Sequence, residues 1–179
     1  MHERNKLALY ERTMMPHINA AYNLARWLTR NDQDAEDVVQ EASLRAFRSI
    51  EGFHGGDSRA WVLAIVRNAS YTWLHRNRKN DLTLPIDDRL HDIADEGQNP
   101  QTVLFQRLDR QSLIQALDEL PVEYREVIVL REIEDLSYKE IAQIADLPIG
   151  TVMSRLARAR VRLQQSLSKT NGKELQREL

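Results

Sequence analysis

Apolar residues recur along the first part of the chain at three- and four-residue intervals. Between about Pro16 and Arg30 the series Ile18, Ala21, Tyr22, Ala25 and Leu28 predicts an amphipathic helix with one buried face. Pro16 is compatible with the first turn of such a helix. Asn31-Asp32 interrupts the pattern. A second helix starts near Asp34 and turns Val38, Ala42, Phe47 and Ile50 inward, with acids in its first turns where they suit the positive end of the helix dipole. The glycines of Gly52-Phe53-His54-Gly55-Gly56-Asp57 mark a loop, and Asp57 or Ser58 caps a third helix running from about Arg59 to Asn77. Over Asp81–Pro100 the period lapses into two prolines, one glycine and many acids, which reads as an extended or weakly structured linker. From Thr102 the helical period returns, with helices predicted at about 102–119, 121–133, 137–146 and 149–168 and a polar tail over 169–179. The expected fold is all-α: two small helical domains, 7–79 and 102–168, joined by an acidic linker over 80–101. Each domain is expected to have its own core and few contacts with the other.

Composition narrows the chemistry. Six glycines and five prolines in 179 residues agree with helices and not with a loop-rich β fold. The absence of cysteine removes disulfides, thiolate metal sites and thiol catalysis, and fits a reducing cytoplasm. The first residues lead into no apolar signal segment, and no uncharged run approaches the roughly 18 residues of a membrane span. A cytoplasmic protein without direct membrane insertion is expected. The net charge of −2 speaks at first against a nucleic-acid partner, but its distribution reverses that impression. Leu147–Gln165 holds Arg155, Arg158, Arg160 and Arg162 and no acid, whereas acids crowd Asp32–Glu41 and Asp81–Glu96. Segregated charge points to separate surfaces for separate partners.

The strongest local signal is Leu136-Ser137-Tyr138-Lys139-Glu140-Ile141-Ala142-Gln143-Ile144-Ala145. Ser137 and Glu140 have the spacing of a capping box, and Ile141, Ile144 and Ala145 make a tight apolar face. Asp146-Leu147-Pro148 ends that helix, and Ile149-Gly150-Thr151 begins the next. Two short helices joined by a turn of about three or four residues form a helix-turn-helix. In the second helix Val152, Leu156, Ala159 and Leu163 point inward. Thr151, Ser154, Arg155 and Arg158 are then expected on the outward face, with Arg160 and Arg162 to either side. Arginine grips a guanine edge and serine or threonine reaches phosphates or bases, so this face suits a major groove. An arginine-rich helix merely solvated in a bundle is the alternative.

Gly150-Thr151-Val152-Met153-Ser154-Arg155-Leu156-Ala157-Arg158-Ala159-Arg160 resembles the recognition helix of extracytoplasmic-function sigma factors, members of the sigma-70 family. Asp34-Ala35-Glu36-Asp37-Val38-Val39-Gln40-Glu41 is similar to that family's polymerase-binding helix. Trp61-Val62-Leu63-Ala64-Ile65-Val66-Arg67-Asn68 is similar to its helix at the melted promoter. The three motifs stand in family order and span about residues 7–168. The resemblance implies an alternative sigma factor, non-enzymatic and without metal or cofactor. Its implied partners are core RNA polymerase through the β′ and β subunits, promoter DNA, and an anti-sigma factor.

Residue by residue, the resemblance makes Asp34, Glu36, Asp37, Gln40 and Glu41 candidates for docking on a β′ coiled coil. It makes Phe53, Asp57, Arg59, Asn68, Trp73 and Arg76 candidates at the −10 element, where separated strands expose base faces to aromatics, amides and arginine. Trp61 and Ile65 read as core, and Trp73 as either core or a stacking platform. Thr151, Ser154, Arg155 and Arg158 are implied at the −35 element, with Arg160 and Arg162 as flanking contacts. Met153 stands where many relatives carry Lys or Arg, so one polar contact is missing and an apolar tip able to touch a thymine methyl takes its place. Thr72 replaces a frequent Asp. The linker's acids resemble a connector entering the polymerase cleft, though solvation explains them equally well.

Two other readings are weaker. A DNA-binding response protein would carry a second, strand-containing domain, which the helical first 80 residues oppose. An enzyme would need a site, yet the five histidines are scattered at 2, 17, 54, 75 and 91, with no H-E-x-x-H, P-loop or dinucleotide turn.

Overall fold

The computed structural model describes residues 2–77 and 110–175, with side chains over 3–77 and 110–169. The linker expected at 80–101, the helix turns expected over 102–109, and residues 176–179 lie outside the described residues. Among those described, every element is helical.

The N-terminal half opens with α1 (His2–Met14), which the apolar period does not reveal. Its Met14 is buried in the core, and two ring contacts hold it to Phe47. Tyr10 meets Phe47 edge to face with ring centres 5.5 Å apart, and the Lys6 ammonium lies over the same Phe47 ring at 5.1 Å. Pro16 sits in a 3-10 turn, Met15–His17, ahead of α2 (Ile18–Thr29) rather than inside its first turn. Arg30 closes α2 in the left-handed region at φ 61°. Asn31 then caps α3 (Asp32–Ser49), its side-chain oxygen accepting from the Asp34 amide at 3.0 Å. After a second 3-10 turn, Ile50–Gly52, the chain passes Gly55 and Gly56 at φ 95° and 103°, angles that favour glycine. Asp57 caps α4 (Ser58–Arg76) by accepting from the Ala60 amide at 3.1 Å. Leu24, Leu28, Val38, Ala42, Leu63 and Val66 are buried between α2, α3 and α4.

The C-terminal half comprises α5 (Arg110–Asp118), α6 (Val122–Ile128), α7 (Tyr138–Ala145) and α8 (Ile149–Leu175). α6 runs on into one π-helical turn, Val129–Ile133, closed by the Glu134 amide donating to the Val129 carbonyl at 3.0 Å. The predicted capping box is present. The Ser137 amide donates to Glu140 Oε2 at 2.7 Å, and the Glu140 amide donates to Ser137 Oγ at 3.2 Å. Those bonds hold the Glu140 carboxyl below its ordinary pKa. Asp146, at φ 54°, ends α7 and lets α8 start three residues later. Ile141, Ile144, Val152, Leu156, Ala159 and Leu163 fill the core as their spacing requires. The polar tail expected from residue 169 is corrected in part: α8 stays helical to Leu175.

The expectation of few contacts between the halves is also corrected. α2 lies against α6 and α4 against α7, and one continuous set of buried apolar residues runs through both halves. The polar groups at this seam are paired across it. Glu126 of α6 is fully buried; its Oε1 accepts from Arg67 Nε and its Oε2 from the Tyr71 hydroxyl at 2.8 Å. Glu134 accepts from Arg59 at 2.8 Å through both its carboxylate and its carbonyl, and from Asn23 at 3.4 Å. Arg30 donates to the Asp118 carbonyl at 3.0 Å. A buried carboxylate without such partners would be costly, and the expectation failed because spacing along one helix says nothing of a partner in the other half.

Candidate nucleic-acid interface

α8 rests its Val152–Leu156–Ala159–Leu163 stripe on α6 and α7, which decides what its other side can offer. Ser154 faces outward and is half-buried, its hydroxyl donating to the Thr151 carbonyl at 3.0 Å. Thr151 and Arg158 are half-buried beside it. Arg160 is held by Glu132 at 2.8 Å, and the exposed Arg162 lies over the Tyr124 ring at 5.1 Å. Arg155 does not share the outward face as the sequence suggested. It is only 9% exposed, because it lies three residues from Val152 and four from Ala159, beside the buried stripe.

The −10 candidates are brought to α4 and its leading loop, in differing states. The rings of Phe53 and Trp61 are 5.1 Å apart, so the loop aromatic leans on the helix. Asp57 is exposed with its carboxylate capping α4. Arg59 is bound to Glu134 of the other half. Asn68 and Arg76 are exposed, and Trp73 lies partly buried against the core. Next to them the sequence reading missed Arg67 and Tyr71. Their four-residue spacing was the available signal, and the guanidinium sits 4.4 Å from the Tyr71 ring centre. Burial first, and then the Glu126 charge, pushes the Tyr71 hydroxyl far above its ordinary pKa, so it remains a donor.

A third surface lies along α3. Glu36, Asp37, Gln40 and Glu41 are exposed on one strip and Asp34 is half-buried at its start. Glu41 is paired with Arg45 at 2.8 Å; that hydrogen bond and charge hold its carboxyl below the usual range. Beside the strip runs an open groove of ≈ 670 Å³ lined by Ile18, Asn19, Tyr22, Asn23, Glu36, Val39 and Gln40. The α2 side of this groove was not anticipated, because its residues read only as a helix face turned to the core.

Residues 14–80 match the family described as Sigma-70 region 2, and residues 110–163 match Sigma-70, region 4. The chain is 35% identical to the ECF RNA polymerase sigma-E factor of Haemophilus influenzae, over 80% of this chain and 79% of the relative. It is 34% identical to the sigma-E factor of Escherichia coli strain K12, over 71% and 70% of the two chains. The chain belongs to the extracytoplasmic-function sigma factors of the sigma-70 family. As a sigma-E-like factor it directs promoter recognition by RNA polymerase and is an initiation factor, not an enzyme. It is also 34% identical to the ECF sigma factor SigE of Mycolicibacterium smegmatis over 93% of this chain, spanning 65% of that relative. Among solved structures it is similar to the sigma factor RpoE in complex with the anti-sigma factor NepR from Bartonella quintana. That match has a TM-score of 0.67 and 28% identity, covering 89% of this chain and 96% of that one. It is similar too to CnrH in complex with the cytosolic domain of CnrY, with a TM-score of 0.62 and 25% identity over 89% and 88% of the chains. Among the described residues, no helix is long and apolar enough to cross a membrane.

Proposed function

We propose that this sigma factor divides its work among the three surfaces just described. The acidic strip on α3, with the groove beside it, docks on a basic coiled coil of the polymerase β′ subunit through Asp34, Glu36, Asp37, Gln40 and Glu41. The loop before α4 and the outer side of α4 bind the separated −10 strand and favour melting, with Phe53, Asp57, Arg59, Asn68, Trp73 and Arg76 as contacts. The outward side of α8 reads the −35 duplex through Thr151, Ser154 and Arg158. Arg160 and Arg162 hold phosphates, and the C-terminal half meets the β subunit. Arg155 supports that helix from behind. The polymerase-docking and −10 surfaces belong to the half before residue 80 and the −35 surface to the half after residue 101, and the site of action is the cytoplasm.

The observation that carries this reading is the two-sidedness of α8. A fully buried apolar stripe and an acid-free, arginine-bearing outer side occur on one helix behind a capped helix-turn-helix. The similar structure from Bartonella quintana is a sigma factor in complex with an anti-sigma factor, which supports a regulator of that class for this chain. The test is in vitro transcription by core polymerase with and without the protein, followed by mapping of start sites. New start sites sharing −35 and −10 sequences are expected only when the protein is present; unchanged initiation would refute the proposal.

A further inference from the structure

The outer side of α8 has two unlike flanks. At about 100° per residue, Gly150, Ser154 and Ala157 form a ridge opposite the buried Val152, Leu156 and Ala159. Thr151, Arg158 and Arg162 line one side of that ridge. Ile149 and Met153, 47% and 37% exposed, line the other over its first turns, with Arg160, paired to Glu132, two turns further along. Residues four apart on a helix are neighbours, so these two make one apolar patch on its first turns. A single exposed apolar residue is ordinary; here two adjoining ones stand outside the core at the entering end of a groove-reading helix. The ridge is low, since a Cβ added at Gly150 would meet nothing within 4 Å.

We propose that Met153 and Ile149 are specificity residues of this sigma factor and read the C5-methyl groups of thymines in the −35 element. The proposal rests on α8 being the −35 reader. In a helix-turn-helix the first turns of the second helix reach the base edges. The apolar group that bases display in the major groove is the thymine methyl. A phosphate would gain nothing from these side chains, which carry no N–H or O–H. The patch is continuous, across a ridge of small residues, with the side bearing Thr151 and Arg158. A helix seated by that basic side therefore lowers the patch onto neighbouring base pairs. The unbranched thioether of Met153 can follow a methyl whose place shifts slightly with DNA shape.

The test uses holoenzyme assembled from core polymerase and the full chain, on a promoter defined by start-site mapping. Each −35 thymine is replaced in turn by deoxyuridine, which removes the methyl and leaves every hydrogen-bonding group. The wild type should lose about fourfold in affinity at one or two positions, the worth of one buried methyl. Met153→Ala or Ile149→Ala should bind the thymine and uracil duplexes alike at one of them, whereas Met153→Leu should keep the discrimination. Both side chains are exposed, so thermal unfolding of the variants should match the wild type. Indifference of the wild type to uracil throughout, a −35 element without thymine, or discrimination undiminished in both alanine variants would overturn the proposal. So would alanine variants that assemble less holoenzyme but read promoters normally, since the patch would then serve a protein. Accurate initiation without methyl dependence removes this inference alone; failure of promoter-directed initiation removes the −35 reading as well.

Discussion

Arg155 and Arg158 stand three residues apart on α8, yet one is buried and the other reaches the outer side. Their substitution should separate cleanly. Arg158→Ala should cost about 1–3 kcal/mol of promoter binding and relax preference at one or two −35 positions, as read from promoter-selection profiles. Arg155→Ala should instead lower the thermal midpoint and leave the preferred sequence unchanged; a shifted preference would return Arg155 to the DNA side. The sequence put both on the DNA side because arginine is counted as polar, while its long stem lets it lie beside a buried stripe. Tyr71 gives a pH test. Its folded pKa is raised, by burial first and Glu126 second, so its contribution is whole below the unfolded value of about 10 and is lost as pH rises beyond it. Tyr71→Phe should flatten the alkaline limb of a stability-against-pH curve, and an unchanged limb would count against the buried hydroxyl as its source.

Whole helices were more legible than single side chains, where an uninterrupted period and a cap coincided. α7 appears where Ser137 and Glu140 predict it, and α4 begins at the Asp57 cap. α1 was hidden because its apolar residues Leu7, Ala8, Leu9 and Tyr10 are consecutive among charges and show no helical stripe. The π turn at Val129–Ile133 has no glycine or proline to announce it. Two predictions belong to elements. Asp37→Arg combined with Gln40→Ala changes only exposed positions of α3. Core-polymerase binding should fall about tenfold or more, as expected for a like charge placed against a basic partner, while the circular dichroism spectrum is kept. Undiminished pull-down of core by the folded variant would remove α3 from the docking surface. On α4, Asn68→Ala and Trp73→Ala should impair promoter opening more than closed-complex formation, because unstacked bases exist only after melting. Permanganate footprinting and gel shift on the same holoenzyme would show it, and equal defects in both assays would make these side chains scaffold.

At the scale of the whole molecule the sequence told least. Two halves were apparent from the acidic stretch between them, but the seam joining them depends on residues nearly 60 positions apart, Arg67 and Glu126. Nothing local distinguishes Glu126 from a surface glutamate until α4 is laid against α6. The pair's weight can be measured. Arg67→Ala leaves a buried carboxylate short of its cation and should destabilise by about 3–5 kcal/mol in denaturant unfolding, whereas Arg67→Met with Tyr71→Phe and Glu126→Leu, which leaves no polar group of the trio unpaired, should recover most of that loss. A triple variant no better than the single one would show that charge burial is not the source.

The same buried carboxylate bears on how promoter preference can be recombined. Sigma factors invite cut-and-join engineering, with one parent supplying the −10 reader and another the −35 reader. A C-terminal half taken from this chain carries Glu126 with it but leaves Arg67 and Tyr71 behind, and any host that offers aliphatic side chains there receives an unmatched acid. Grafts should therefore succeed according to the residues at positions 67 and 71 of the recipient, more than by its overall likeness to the donor. The heritable unit of promoter choice in this protein is larger than the helix that touches the promoter.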